Sequence, residues 1–227
     1  YRQIGHLSLA CTPERVESMR RDGAFHHLFG VESEDLTPRQ VADMWPLARV
    51  DDVLAGHWVP DEGRADPVGV TMSLAKGARM GGATVVEGVT VTGFTTEGRR
   101  VTGVVTDQGT VEAEIVITAA GMWARQIAAT AGVDVALQAA EHYYLITEEV
   151  PGSHRDLPVI EDPDRYGYYR PEGVGMLVGL FEPAAAAWQL DGIPNDFSFG
   201  EISPDWDRLG PFVERAMERV PSLAEIG

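Results

Sequence analysis

The sequence predicts an α/β (α+β) fold, in two lobes, on three observations. Three segments in the first third open with the same helix-start signal, a capping side chain followed by proline. From Gly82 the period shortens to that of strands, with glycine at each turn. The stretch "EAEIVITAAGMWARQIAAT", Glu112 to Thr130, reads as a buried strand that stops at two alanines and a glycine and turns at once into a helix. In open α/β sheets ligands sit outside the carboxyl ends of strands, so this turn calls for a ligand.

Taken in order, "IGHLSLACTPERVESMRRDG" gives a strand, then Thr12 as N-cap, Pro13 in the first turn and Gly23 just past the helix end. "LTPRQVADMWP" repeats the signal with Thr37 and Pro38, and Pro46 stops it. Asp66 and Pro67 open a third helix that Gly81 ends. "ATVVEG" reads as a strand, then "VTVTGFTTEG" and "RRVTGVVTDQG" as a meander leading into the apolar strand of the opening stretch, which should be buried on both faces. After a helix from Trp123 to Ala131 the pattern is strand again, in "AEHYYLITEE", "LPVIEDPD", "YGYYRPEG" and "VGMLVGLFEP". An amphipathic helix, "DWDRLGPFVERAMERV", starts near Asp205. The boundaries expected are 1-59 and 132-227 for a substrate lobe and 60-131 for a nucleotide-binding lobe.

Composition narrows the partners. A net charge of −17 leaves no basic stripe to neutralise a phosphate backbone, which argues against nucleic acid and against an acidic membrane surface. No apolar run approaches the length of a membrane span. Cys11, the single cysteine, reads as a small buried hydrophobe and fits a reducing cytoplasm. Lys76 is the one lysine among 18 basic residues, a bias that suggests a GC-rich bacterial genome. The chain opens without Met and ends abruptly, which suggests an internal piece of a longer protein. No G-x-G-x-x-G fingerprint stands in strand-to-helix context; "EGVGMLVG" is better explained as a hairpin turn.

The series "PDEGRADP", "GATVVEGVTVTGF", "VTGVVTDQGTVEAEIVITAAGMWA", "EHYYLITE" and "YGYYRPEGVGMLVGLFEP" resembles, in order and spacing, the FAD-dependent oxidoreductases of the D-amino acid oxidase superfamily, dimethylglycine and sarcosine dehydrogenases above all. The resemblance covers nearly the whole chain. It implies a partial FAD-binding, Rossmann-like layer with a β-meander, plus a mainly antiparallel-sheet substrate domain. It also implies that the dinucleotide fingerprint, and the histidine that can carry flavin covalently, belong to segments before Tyr1, with a second flavin-contacting segment after Gly227.

By resemblance, Val91 pairs with the adenine edge, and Ala119, Gly121 and Trp123 line the dinucleotide. Gly121 would let the backbone approach, with a positive helix N-terminus behind it. The other reading makes Gly121 a tight turn and Val91 core. His142 and Tyr168 are the implied catalytic pair, His142 exchanging the substrate amine proton or holding the amine. His142 could equally be a satisfied core histidine, and Tyr169 competes for the tyrosine role. Arg64 and Arg170 are candidates for the substrate carboxylate, since a guanidinium binds one bidentately. An ion pair with Asp61, Asp66 or Glu172 explains either arginine equally well. His26, His27, His57 and His154 lack metal-ligand spacing, so no metal is assigned.

The expectation is the central part of an FAD-dependent enzyme demethylating dimethylglycine or sarcosine, a small-molecule amine. The alternatives are a flavin dehydrogenase of another small acid or polyol, and a non-catalytic binding module that keeps the fold.

Overall fold

The computed structural model describes residues 1–226. In chain order the elements are β1 (Arg2–Gln3), β2 (His6–Ala10), α1 (Pro13–Leu28), β3 (Glu34–Leu36), α2 (Pro38–Met44), β4 (Ala55–Val59), β5 (Gly63–Arg64) and α3 (Pro67–Met80). There follow β6 (Val91–Glu97), β7 (Arg100–Thr106), β8 (Gly109–Glu112), α4 (Ala124–Ala129), β9 (Tyr143–Ile146), β10 (Val159–Asp162), β11 (Gly167–Glu172), β12 (Gly175–Leu180) and α5 (Trp206–Arg219).

The chain clusters into two units. One holds Tyr1–Thr71, His142–Ala184 and the chain from Ser203 onward; the other holds Met72–Glu141 and Ala185–Ile202. The first is built on a seven-stranded sheet in the order β3-β4-β2-β10-β11-β12-β9, antiparallel except where β2 meets β10. One face of this sheet is core. Leu7, Ile160, Tyr169, Val178 and Leu145 form a row across five strands, with Trp45 against the Tyr169 ring at 6.5 Å. Large apolar side chains buried as fully as Leu7, Ile160 and Trp45 contribute about 1.5–3 kcal/mol each. Trp45 donates its indole N–H to the Pro158 carbonyl at 3.0 Å, so the burial strands no donor.

The helix starts follow from their caps. Thr12 accepts from Arg15 N–H, Thr37 forms a reciprocal capping box with Gln40, and Asp66 accepts from Val68 and Gly69 N–H. Asp205 does the same for α5 by accepting from Arg208 N–H.

Two sequence expectations fail for tertiary reasons. Gly23 does not end α1, which runs to Leu28 before Gly30 takes the left-handed turn. Gly23 is there because a Cβ would stand 2.9 Å from His57 Cε1. The segments "ATVVEG" and 114–120 are not strands either: no described strand pairs with them, and Ile115 and Ile117 are 80% and 84% exposed. An extended segment without a ladder partner leaves its backbone groups to water, so β-branched composition alone does not make it a strand. The meander of the second unit does form, as β6-β7-β8.

Burial, reinforced by Asp162, raises the Cys11 thiol to about 12, and Cys11 Sγ accepts from Arg219 at 3.2 Å. Thiolate is then roughly one part in ten thousand near pH 8, and thiolate is the reactive form. Iodoacetamide near pH 8 is expected to leave Cys11 unmodified in the native protein and to alkylate it after urea unfolding, read by intact mass. Rapid alkylation of the native protein would show that burial does not protect the thiol.

Candidate functional site

In the second unit, a cavity of about 950 Å³ opens beside the end of the meander. Its walls include Val91, Ala119, Gly121 and Trp123, so all four residues implied as cofactor neighbours line one space. Gly121 holds φ at 53°, and no heavy atom lies within 4 Å of where its Cβ would stand. Within the same lining, the β6–β7 pairing shifts register between Val91 and Gly93, a bulge that leaves Thr92 out of the ladder. The helix expected from Trp123 is shorter than that. A 3-10 turn over Gly121–Trp123 leads into the six residues of α4, too short to offer the strong positive terminus expected.

In the first unit, the face opposite the core carries the other candidates. Asp35, His57, Ser8, Glu161, Tyr168, Gly179 and Tyr144 form one row across all seven strands. α1 covers the His57 end of this row, where Nδ1 lies 3.0 Å from Asp35 Oδ1 and Nε2 lies 3.2 Å from His26 Nδ1. His57, which stands alone in sequence, is therefore buried in a polar chain. The far end is open, with Tyr144 55% exposed.

His142 directly precedes β9 and points to that open end. Its ring stacks on Phe181 at 4.7 Å and on Tyr168 at 6.4 Å, and Tyr168 meets Phe181 at 5.2 Å. A side chain at Gly179 would collide with Tyr168, its Cβ standing 1.9 Å from Cζ, so glycine makes room for that ring. Tyr169, the competing tyrosine, is fully buried on the core face. Burial raises the Tyr168 hydroxyl pKa and Tyr144 adds to it, while Arg170 opposes, so at neutral pH the phenol is a donor. Arg170 pairs with Glu172, and Arg64 lies 3.6 Å from the same carboxylate while donating to the Pro171 carbonyl. Glu172 is thus the carboxylate both arginines hold.

A family model described as "DAO: FAD dependent oxidoreductase" matches residues 1–227. The chain belongs to this FAD-dependent oxidoreductase family. It is 38% identical over 227 residues to 4-methylaminobutanoate oxidase (formaldehyde-forming) of Paenarthrobacter nicotinovorans, covering 100% of this chain and 27% of that protein. It is 34% identical to mitochondrial sarcosine dehydrogenase of Homo sapiens, covering 99% of this chain and 25% of the relative. Among solved structures, L-proline dehydrogenase from P. horikoshii superposes with a TM-score of 0.80 at 25% identity, over 99% of this chain and 58% of that one. The chain spans about a quarter of the length of the curated relatives it matches.

The cavity suits the cofactor of this FAD-dependent family. Its lining combines Val89–Thr92 and Ala119–Gly121 with the aromatic side chains Trp123 and Phe197 and the polar Gln126 and Asn195, and the space over Gly121 is one that any Cβ would enter. Such a mixture receives a flat ring with a polar rim.

Several residues at these sites carry no sequence signal. Phe181 stands opposite His142 because Leu180 pairs with Tyr143, a register between residues 37 apart in sequence that no local turn sets. Asn195, Phe197 and Ser198 join the cavity wall without belonging to any motif. Among the described residues no helix is long and apolar enough to cross a membrane.

Proposed function

We propose that the holoenzyme carrying this chain oxidatively demethylates an N-methylglycine, dimethylglycine or sarcosine. The observation that carries this reading is the open aromatic face of His142, Phe181, Tyr168 and Tyr144. Aromatic ring faces attract substituted ammonium groups, whose methyls pack where water is displaced. The relatives named as acting on sarcosine and on 4-methylaminobutanoate share the N-methyl amine.

Bound FAD supplies the two-electron oxidation of the N-methyl C–H bond, after which water hydrolyses the iminium to formaldehyde and the demethylated amine. His142 takes the proton that leaves the substrate ammonium, since only the free amine can give up hydride. Tyr168 donates a hydrogen bond that orients the substrate. Arg170 and Arg64 present positive charge for its carboxylate, in competition with Glu172. Val91, Ala119, Gly121 and Trp123 form one side of the flavin cavity. Segments of the same protein outside residues 1–227 supply the pyrophosphate cradle, a reading supported by the greater length of the relatives and by the exposed, unpaired run around Ile115 and Ile117. A cytoplasmic setting belongs to the same proposal and rests on the single cysteine.

The test is anaerobic mixing of the holoenzyme with sarcosine, dimethylglycine, 4-methylaminobutanoate, glycine, lactate and glycerol phosphate. The N-methylglycines are expected to bleach the flavin and release one formaldehyde per flavin reduced. Bleaching by lactate or glycerol phosphate alone would favour a dehydrogenase of another small acid or polyol. No bleaching by any of them would favour a binding module.

A further inference from the structure

The residues Ala185–Ile202 lie between β12 and α5 in sequence but cluster with the second unit. They are tied to it by hydrogen bonds rather than by a sheet. Ala187 bridges Ala140, Trp188 N–H donates to the Ala139 carbonyl at 2.8 Å, and Gln138 Nε2 donates to the Trp188 carbonyl at 2.7 Å. The turn before α4 and α4 itself hold the next stretch. Trp123 Nε1 donates to the Pro194 carbonyl at 3.0 Å, and Arg125 Nη2 to the Leu190 carbonyl at 2.8 Å. Gln126 bonds both backbone groups of Ile193, donating from Nε2 to its carbonyl at 2.9 Å and accepting its N–H on Oε1 at 2.7 Å. A primary amide that satisfies both groups of one residue fixes that residue's place and orientation together.

Directly after this anchor the chain turns, with Phe197 N–H donating to the Pro194 carbonyl at 3.2 Å. Asn195, Phe197 and Ser198 then form the cavity wall that completes the lining by Val91, Gly121 and Trp123. The Phe197 ring is braced by Trp188 at 4.7 Å. Phe199 and Gln189 hold positive φ, at 49° and 51°. These two residues mark turns on either side of the wall.

We propose that Pro194–Ser198 is a built wall of the flavin site, with Asn195 and Phe197 facing the adenosine part of FAD and Gln126 and Trp123 as positioning residues. A purine presents a flat apolar face with a polar edge. The wall offers a phenyl ring next to an amide and a hydroxyl, and the same lining holds Thr92, which the β6–β7 register skips.

The inference rests on FAD occupying this cavity, and the experiment separates the two. The holoenzyme is prepared flavin-free from riboflavin-starved cells and titrated with FAD, following quenching of flavin fluorescence, with melting temperature measured beside it. Phe197→Ala and Gln126→Ala are expected to weaken FAD binding at least 10-fold with melting unchanged, and Phe197→Tyr to bind as the parent does. A parent that binds FAD while Phe197→Ala and Gln126→Ala bind within twofold of it overturns the wall and leaves the flavin reading standing. A parent that fails to bind FAD overturns both. If Gln126→Ala does not fold, the half-exposed Phe197 still decides, because its truncation leaves the Ile193 anchor in place.

Discussion

Replacing His142 with alanine in the holoenzyme is expected to slow flavin reduction by dimethylglycine or sarcosine about 100-fold, the range for a lost acid-base group. Flavin content and fold should stay as in the parent. His142 lies outside the core, at the uncovered end of a sheet face, and its contacts are the rings of Phe181 and Tyr168. Losing those contacts removes packing as well as the imidazole, so His142→Phe is the companion variant. It keeps a ring on Phe181 and cannot exchange a proton. Anaerobic stopped-flow reduction across pH compares the three proteins. Both variants should be slow, and both should lose the pH dependence that the parent owes to the imidazole. An unaltered rate and profile in both would pass the role to Tyr168. A slow alanine variant beside a fast phenylalanine one would make His142 a spacer.

What the sequence made legible is what short-range chemistry decides. Thr37 with Gln40, Asp66 with Gly69 and Asp205 with Arg208 are three-residue relationships, and each helix starts where they predict. Gly23 was misread because its reason lies 34 residues away in the His57 ring, which no local pattern records. The run through Ile115 and Ile117 has strand composition, yet a strand is a pairing, and the partner is not a property of the run. At the sites the same division holds. Alternation along β11 separates Tyr168 from Tyr169 correctly, and the ion-pair reading kept open for Arg64 and Arg170 is realised with Glu172. Phe181 needed the β9–β12 register, and the Ile193–Ser198 wall needed side-chain anchors on α4, neither of which has a period.

The largest effect on stability is expected at Arg219, in the last turn of α5. Its guanidinium is buried and donates from Nε to Asp162 Oδ2 at 2.6 Å, from Nη1 and Nη2 to Asp52 at 2.9 and 3.0 Å, and to the Arg49 carbonyl. One side chain thereby ties α5 to β10 and to the turn before β4. Burial works against its charge, but Asp162 and Asp52 hold the guanidinium protonated above the ordinary arginine range. For Asp52, burial pushes the carboxyl up, and the hydrogen bonds from Arg165 and Arg219 override it and hold the value at about 2. A carboxyl whose folded value lies below its unfolded value of 3.8 stabilises the fold above that value. That contribution is lost as pH falls through the window from 3.8 to about 2. Arg219→Leu is expected to cost about 3–5 kcal/mol at neutral pH, because it leaves Asp162 buried with its main counter-charge gone. Asp162→Leu in the same chain removes the stranded charge, so the double variant should recover most of that loss. Urea unfolding followed by far-UV circular dichroism measures all three proteins. A single-variant loss below about 1 kcal/mol would show that the pair only offsets its own desolvation, and a double variant no better than the single would locate the cost in lost packing of α5 rather than in the charge.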